Sequence, residues 1–542
     1  MFRFALLLCI SLLWGQYLAG QEIAIDKAAI QRHAEFLASD SLGGRATGSP
    51  GEQIAADYLA ECFRQYNLEP VGDNGTFYQK IQLHGSTPSP QSELLLYKDN
   101  DTTHLNLNSD YLLFKYGAQT LVPQPVELVF VGYGIVAPEF DYNDYLTLDV
   151  HDKIVVYLAG EPYSSDPFYF AGTEPTIYAY PEAKERTAIS RGARGSILLP
   201  NPNNSQYREW QHYVNSYAFE DITLAYAPMS HLSLIINPDK ADILFQGSGV
   251  SLADIYTMDQ ENTIKSFPLQ LKLSFKGQFT QRDFISHNVL AMLYGNDPEY
   301  KHSYIIVTAH YDHLGIGTPV LGDSIYNGFG DNALGCAGAL ELARMLAQTR
   351  VCKRSVLFLM DTGEEKGLLG STFYIDHPVV PLHQTIANIN IDGLAMFDEF
   401  NDIVGVGYDL SDLDKILHDV AEKMDLRISP IPSQFLRSES FARSDQISFA
   451  KAGIPAILIM DGLNYKHLSL IQGLQMHLNW MSQTYHSPFD DKDQTLNYDA
   501  TVQHCRVLYN VIVDLANASK EIHWKPGSPY INARLQTIAE KR

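Results

Sequence analysis

The sequence predicts an α/β fold: a sandwich of helices around a mainly parallel mixed sheet, with a β-rich segment inserted near its start. Three observations predict it. The chain has 542 residues, too many for one ordinary core. After His287, strand-like runs alternate with helix-length segments, the rhythm of a parallel sheet covered by helices. Between about Ser89 and Gln281 that rhythm gives way to short β-rich runs separated by Pro, Asn, Asp and Gly.

The elements follow in chain order. Arg3, the apolar run Phe4 to Trp14 and the small residues Leu18-Ala19-Gly20 have the pattern of a secretory signal peptide cleaved near Gly20. The run is shorter than the roughly 20 apolar residues a membrane span needs, and no later segment reaches that length. The expectation is an exported protein, periplasmic or secreted, with no membrane span. From Asp26 to about Asn67, apolar residues at helical spacing predict two helices, with the glycine-rich stretch Ser39 to Gly51 as the loop between them. Inside the β-rich stretch, the runs starting at Val126 and Lys153 read as strands, Glu182 to Arg194 as a helix, and Gly195 onward as another strand. Then come strands Asn288 to Leu293 and Ser303 to Thr308, helix Ala333 to Gln348, strands Ser355 to Met360 and Ile386 to Ile391, helix Ser411 to Met424, and strand Ala456 to Met460. The organisation expected is a signal peptide over 1–20, a first part of the main domain over 21–88, an insert over 89–282, the main part over 283–525 and a C-terminal tail over 526–542.

Composition narrows the function. With 45% hydrophobic and 19% charged residues the chain is a folded globular protein. A formal charge of -24 repels phosphate backbones and anionic membranes, so no nucleic acid is expected as a partner. The same field favours metal ions and peptide amino termini, although acidity also serves solubility alone. Past the signal, Cys62, Cys336, Cys352 and Cys505 match no zinc-finger or C-x-x-C spacing; buried, mostly free thiols are expected, with a Cys336-Cys352 bridge as the alternative.

The chemistry is carried by segments at the carboxyl ends of the predicted strands, where α/β sheets collect their active sites. The first is Ala309-His310-Tyr311-Asp312-His313-Leu314-Gly315, in which His310 and Asp312 are two apart on extended chain and face one way. The second, Gly330-Asp331-Asn332-Ala333, reads on its own as an ordinary helix N-cap. The third, Thr362-Gly363-Glu364-Glu365-Lys366-Gly367, holds adjacent glutamates that diverge, so one can bind a metal while the other handles a proton. Asn390-Ile391-Asp392-Gly393 and Tyr485-His486-Ser487-Pro488 complete the set. Histidines and carboxylates in these numbers suit a pair of cations sharing a bridging carboxylate, with a position left open for water.

In this order the segments resemble the dizinc aminopeptidase family, which includes bacterial leucyl aminopeptidase, glutamate carboxypeptidase and the transferrin receptor ectodomain. The opening stretch Leu37 to Glu52 is similar to that of its exported bacterial members, and Phe130 to Pro138 resembles the protease-associated domain inserted in such chains. The resemblance implies a zinc-peptidase fold and two zinc ions. His310 and Asp392 would hold one, Glu365 and His486 the other, and Asp331 would bridge them. It further implies Glu364 as general base, Asp312 as the group that orients His310, and a cis peptide at Asp331-Asn332. Tyr485 reads equally as a donor to the developing oxyanion or as a packed aromatic. His467 and His477 are expected to be non-ligands on a helix over the site.

The sequence departs from the family in two places. Gly328-Phe329-Gly330-Asp331 lacks one acidic neighbour of the bridging aspartate, and Arg443-Ser444-Asp445-Gln446 has glutamine where histidine is usual. The expected substrates are peptides cleaved from the N-terminus. A carboxypeptidase, a one-zinc glutaminyl-cyclase-like enzyme and an inactive binding protein of the same fold remain as alternatives.

Overall fold

The computed structural model describes residues 24–114, 120–172, 175–204, 207–227, 231–432 and 441–540. The signal-peptide reading falls on residues 1–20, outside the described residues.

A ten-stranded mixed sheet forms the frame of the site. Its strands run in the order Asp221–Leu224, Tyr78–Pro88, Phe279–Leu293, Ser355–Asp361, Tyr304–His310, Thr385–Asn390, Ala456–Asp461, Asp402–Val406 and Arg427–Ile428, with Glu69–Pro70 also paired to Phe279–Leu293. The four strands from Ser355–Asp361 to Ala456–Asp461 are mutually parallel. They are buried along almost their whole length because helices cover both faces.

Alternation along each strand sends side chains into two cores. Ile305, Val307 and Ala309 join Val356, Phe358 and Met360 against the helices Lys27–Leu37, Pro50–Gln65, Leu334–Thr349, Leu413–Lys423 and Tyr498–Asn517. Tyr304, Ile306, Leu357 and Leu359 point the other way, onto Tyr374, Phe449, Ile454 and Trp524. Local chemistry sets the helix starts: Ser49 accepts from the Glu52 amide ahead of Pro50, and Asn497 accepts from the Asp499 amide.

An eight-stranded mixed sheet lies wholly within residues 93–276, with apolar clusters of its own around Leu128, Val156 and Phe275 and around Val129, Tyr157 and Ile235. One strand from this stretch of sequence, Asp221–Leu224, instead pairs with Tyr78–Pro88 at the edge of the larger sheet. The strand expected at Asn288 begins earlier, at Phe279, and runs antiparallel to Tyr78–Pro88 from the Phe279 and Pro88 pair to the Val289 and Tyr78 pair. Its first half is polar and exposed, so the sequence gives no period to read; a distant partner supplies its hydrogen bonds. Expected helix ends shift by a few residues: Glu182 to Arg194 becomes Pro181–Ser190, and Ser411 to Met424 becomes Leu413–Lys423.

The four described cysteines are buried and unpaired, so no Cys336-Cys352 bridge forms. No helix among the described residues is long and apolar enough to cross a membrane.

Candidate metal centre

The parallel strands end side by side, and their registers bring distant residues together. His310, the last residue of its strand, is level with Asp361, and Thr308 is level with Asn390. Glu364 and Glu365 therefore turn out just past Asp361, on a tight turn between Gly363 and Gly367, whose φ of 69° and 100° suit glycine. Asp392 follows the end of the Thr385–Asn390 strand.

Asp331 sits in an irregular turn, Phe329–Ala333, before the helix Leu334–Thr349. Its side chain caps nothing: the helix starts from Ala333 without a side-chain cap, so the plain N-cap reading of this segment fails. The Asp331-Asn332 peptide is cis, as the resemblance implied.

The five residues expected to ligate converge. His310 Nε2 is 3.2 Å from Asp331 Oδ1 and 3.3 Å from Asp392 Oδ1. His486 Nε2 is 3.1 Å from Asp331 Oδ2 and 3.1 Å from Glu365 Oε2. The two oxygens of Asp331 thus face different histidines, which is the arrangement of a bridge. Two donors about 2.0 to 2.1 Å from a zinc ion at a tetrahedral angle stand roughly 3.3 Å apart, so the observed separations fit cation ligation. The donor set fits as well, since the buried carboxylates of Asp331, Asp312 and the neighbouring glutamates outnumber the nearby cationic side chains.

Other residues hold this geometry. Asp490, fully buried, accepts from the amides of Gly330 at 2.8 Å and Asp331 at 3.0 Å. Asn332 donates to the Ile391 carbonyl at 2.8 Å and accepts from the Gly393 amide at 2.9 Å, tying the Asp331 turn to the strand end that bears Asp392. The buried guanidinium of Arg45 donates to the carbonyls of Leu37, Tyr311, Asn327 and Gly328, fastening the opening loop to both histidine- and aspartate-bearing loops. None of these roles was read from the sequence. Arg45 lay in the quoted opening stretch and Asp490 directly after the Tyr485-His486 segment, but no spacing rule tells a buried clamp from a solvated charge.

Asp312 is placed to steady two groups. Its carboxylate accepts from the Glu364 amide at 3.1 Å and from the Thr47 hydroxyl at 2.9 Å. His310 Nδ1 is 3.3 Å from the Asp312 backbone carbonyl and 3.8 Å from its carboxylate. Tyr485 stacks on His486, with ring centroids 3.9 Å apart at 18°. His467 meets Asp398 at 2.9 Å and His477 meets the Tyr465 hydroxyl at 2.6 Å, both apart from the cluster. Gln446, at the departure from the family pattern, is buried and accepts from Asn390 Nδ2 at 2.8 Å.

Electrostatics separate the carboxyl groups. Burial pushes Glu364 well above the ordinary glutamate range; Asp392, Asp445 and Glu365 push the same way, against the pull of His310. Burial would also raise Asp331, but hydrogen bonds from His310 and His486 outweigh it and hold Asp331 well below its usual value. For Glu365 burial is likewise outweighed, first by His486, which brings it down to about 2. Burial lifts Asp312 to about 6. The two adjacent glutamates thus shift in opposite directions.

Known proteins resemble this chain in sequence and in fold. Residues 288–512 match the model of Peptidase family M28, in line with the motif resemblance. A probable leucine aminopeptidase 2 of Aspergillus oryzae is 25% identical over 280 residues, which is 48% of this chain and 50% of that protein. A vacuolar membrane protease of Verticillium alfalfae is 32% identical over 88 residues, 16% of this chain and 8% of its own length. The chain thus spans about half or less of these curated relatives. Among solved structures, an aminopeptidase from Aneurinibacillus sp. strain AM-1 superposes with a TM-score of 0.55 at 19% identity, covering 93% of this chain and 96% of its own, a likeness of fold.

Proposed function

We propose that this chain, whose residues 288–512 carry the M28 peptidase match, is an exported dizinc aminopeptidase that removes residues from the N-terminus of peptides. The observation that carries the reading is the two-sided meeting at Asp331: one oxygen 3.2 Å from His310, the other 3.1 Å from His486, with Asp392 and Glu365 completing each side. Export rests on the leader pattern of residues 1–20.

When bound, a zinc pair held by His310 and Asp392, by Glu365 and His486, and by Asp331 between them supplies an acidified water and polarises the scissile carbonyl. The remaining work belongs to the chain. Glu364, beside the cluster and raised by burial, accepts the proton of the attacking water and returns it to the leaving amine. The Asp312 carboxylate accepts from the Glu364 backbone amide and so holds the turn that carries the base. Tyr485 is held flat on His486, and burial with the surrounding carboxylates keeps its phenol protonated, able to donate to the developing oxyanion.

Aminopeptidase action is favoured by the sign of the site. The carboxylates of the cluster suit a substrate ammonium, while the buried Arg45 donates to four backbone carbonyls. The test uses zinc-loaded protein with free-amine and N-acetylated peptide amides. Hydrolysis of the free-amine substrates alone, falling more than a hundredfold in Glu364→Gln with zinc retained, is the expected result. Preference for N-blocked substrates, or near-normal turnover in Glu364→Gln, overturns the reading.

A further inference from the structure

We propose that His313 is a direct nitrogen donor to the second cation, the one expected between Glu365 and His486. That side is then closed by four protein groups, while the His310 side keeps three. The inference rests on the dizinc reading above and goes beyond the ligands that the resemblance supplies.

His313 is fully buried, and neither ring nitrogen has a hydrogen-bond partner among the described residues. A buried imidazole lacking both hydrogen bonds is costly unless something else engages it. Its Nδ1 lies 2.6 Å from Glu365 Oε1 and 3.9 Å from Asp331 Oδ2, and His313, Asp331 and Glu365 offer donor atoms within 4.8 Å of one another. The contact with Glu365 lacks hydrogen-bond alignment, and Glu365 Oε1 too is without a hydrogen-bond partner. At 2.6 Å the pair stands closer than the roughly 3.3 Å between two zinc ligands, and what makes it a cation site is the third donor, Asp331, within 4.8 Å of both. The rings of His313 and His486 stand 5.7 Å apart at 68°, room enough for both to reach one cation without stacking.

The position is built rather than incidental. The His313 amide donates to the Arg45 carbonyl at 3.1 Å, fixing the backbone on one side. On the other, the ring lies over Gly328, where a Cβ would come within 2.4 Å of His313 Cγ, so only glycine leaves space for the imidazole.

The consequence is an asymmetry between the ions. A site with four protein ligands has the character of a structural centre, whereas one with three leaves a position for water or substrate. The ion beside His313 should be the last to leave under chelation and the ion beside His310 the first.

Wild-type protein loaded with two equivalents of cobalt(II) tests this without relying on a variant. Proton NMR should show paramagnetically shifted, exchangeable imidazole N–H signals from three histidines; signals from only two overturn the proposal. In parallel, zinc affinity is measured for His313→Ala and His313→Gln, with circular dichroism and retention of one ion confirming the fold. Loss of at least a hundredfold in affinity for one ion in both variants supports direct ligation. Unchanged affinity, or recovery in His313→Gln, means that His313 does not ligate. Wild-type protein binding fewer than two ions defeats the dizinc reading itself, an outcome distinct from two ions bound with two imidazole signals.

Discussion

Replacing Asn332 with alanine gives the most direct measure of how the fold holds the first cation site. The side chain makes two buried hydrogen bonds, 2.8 Å to the Ile391 carbonyl and 2.9 Å from the Gly393 amide, on either side of Asp392. Alanine leaves both backbone groups buried without a partner, at about 1 to 3 kcal/mol each. A loss near 3 kcal/mol is expected. With an unfolding entropy of about 2.1 cal/mol/K per residue, a chain of this length should then melt about 3 °C lower, provided it unfolds as a unit. The larger effect should fall on metal. Asp331 and Asp392 would sit on turns no longer tied together, and each tenfold in affinity corresponds to about 1.4 kcal/mol. Scanning calorimetry in chelator gives the stability of the metal-free chain, and competition with a chromophoric chelator gives the two zinc affinities. Affinity for the ion expected between His310 and Asp392 should fall at least about tenfold, and affinity for the other, which shares only Asp331, should fall by less. A melting shift below about 1 °C together with unchanged affinities would show that Asn332 does not clamp the site.

Three further outcomes follow from the same geometry. Asp490→Asn places an NH2 group against one of the two amides that the carboxylate now accepts from, costing about 2 to 4 kcal/mol; because those amides carry the Asp331 turn, zinc affinity should fall at both sites in the chelator competition. Gly328→Ala sets a side chain at a φ of +60°, with Cβ 2.2 Å from the Asp331 carbonyl oxygen and 2.4 Å from His313 Cγ; elemental analysis of the purified variant should find less zinc than in wild type. His33 accounts for a pH effect away from the metals. Burial between Tyr58 and Tyr66 lowers it from 6.5 to about 4, so the unfolded chain takes up a proton that the folded chain refuses between those values. Its contribution is complete above pH 6.5 and fades as pH falls toward 4, by about 3 kcal/mol in all. In chelator, His33→Gln should flatten the loss of melting temperature across that interval, and an unaltered slope would assign it to other groups.

The sequence by itself determined the kind of fold and the residues of the cluster. Strand and helix periods after His287 depend on neighbours within a few positions, so they are legible in one dimension, and the helix Leu334–Thr349 and strand Ser355–Asp361 lie within a residue of where they were read. His310, Asp331, Glu365, Asp392 and His486 lie in short motifs that can be read in one dimension, and the family resemblance of those motifs implied their roles as ligands. Only the tertiary structure decided what those side chains do to one another. The strand Phe279–Leu293 exists in full because Tyr78–Pro88, almost two hundred positions earlier, pairs with it. Asp331 leaves its capping geometry because Asp490 holds its turn from the far end of the chain, and Arg45 is buried because four carbonyls from separate loops converge on it. Glu364 and Glu365, neighbours in sequence, acquire opposite proton affinities only when burial and His486 act on them differently. Hydrogen bonds and fields act through space, and the distances they depend on are set by the register of strands far apart in the chain.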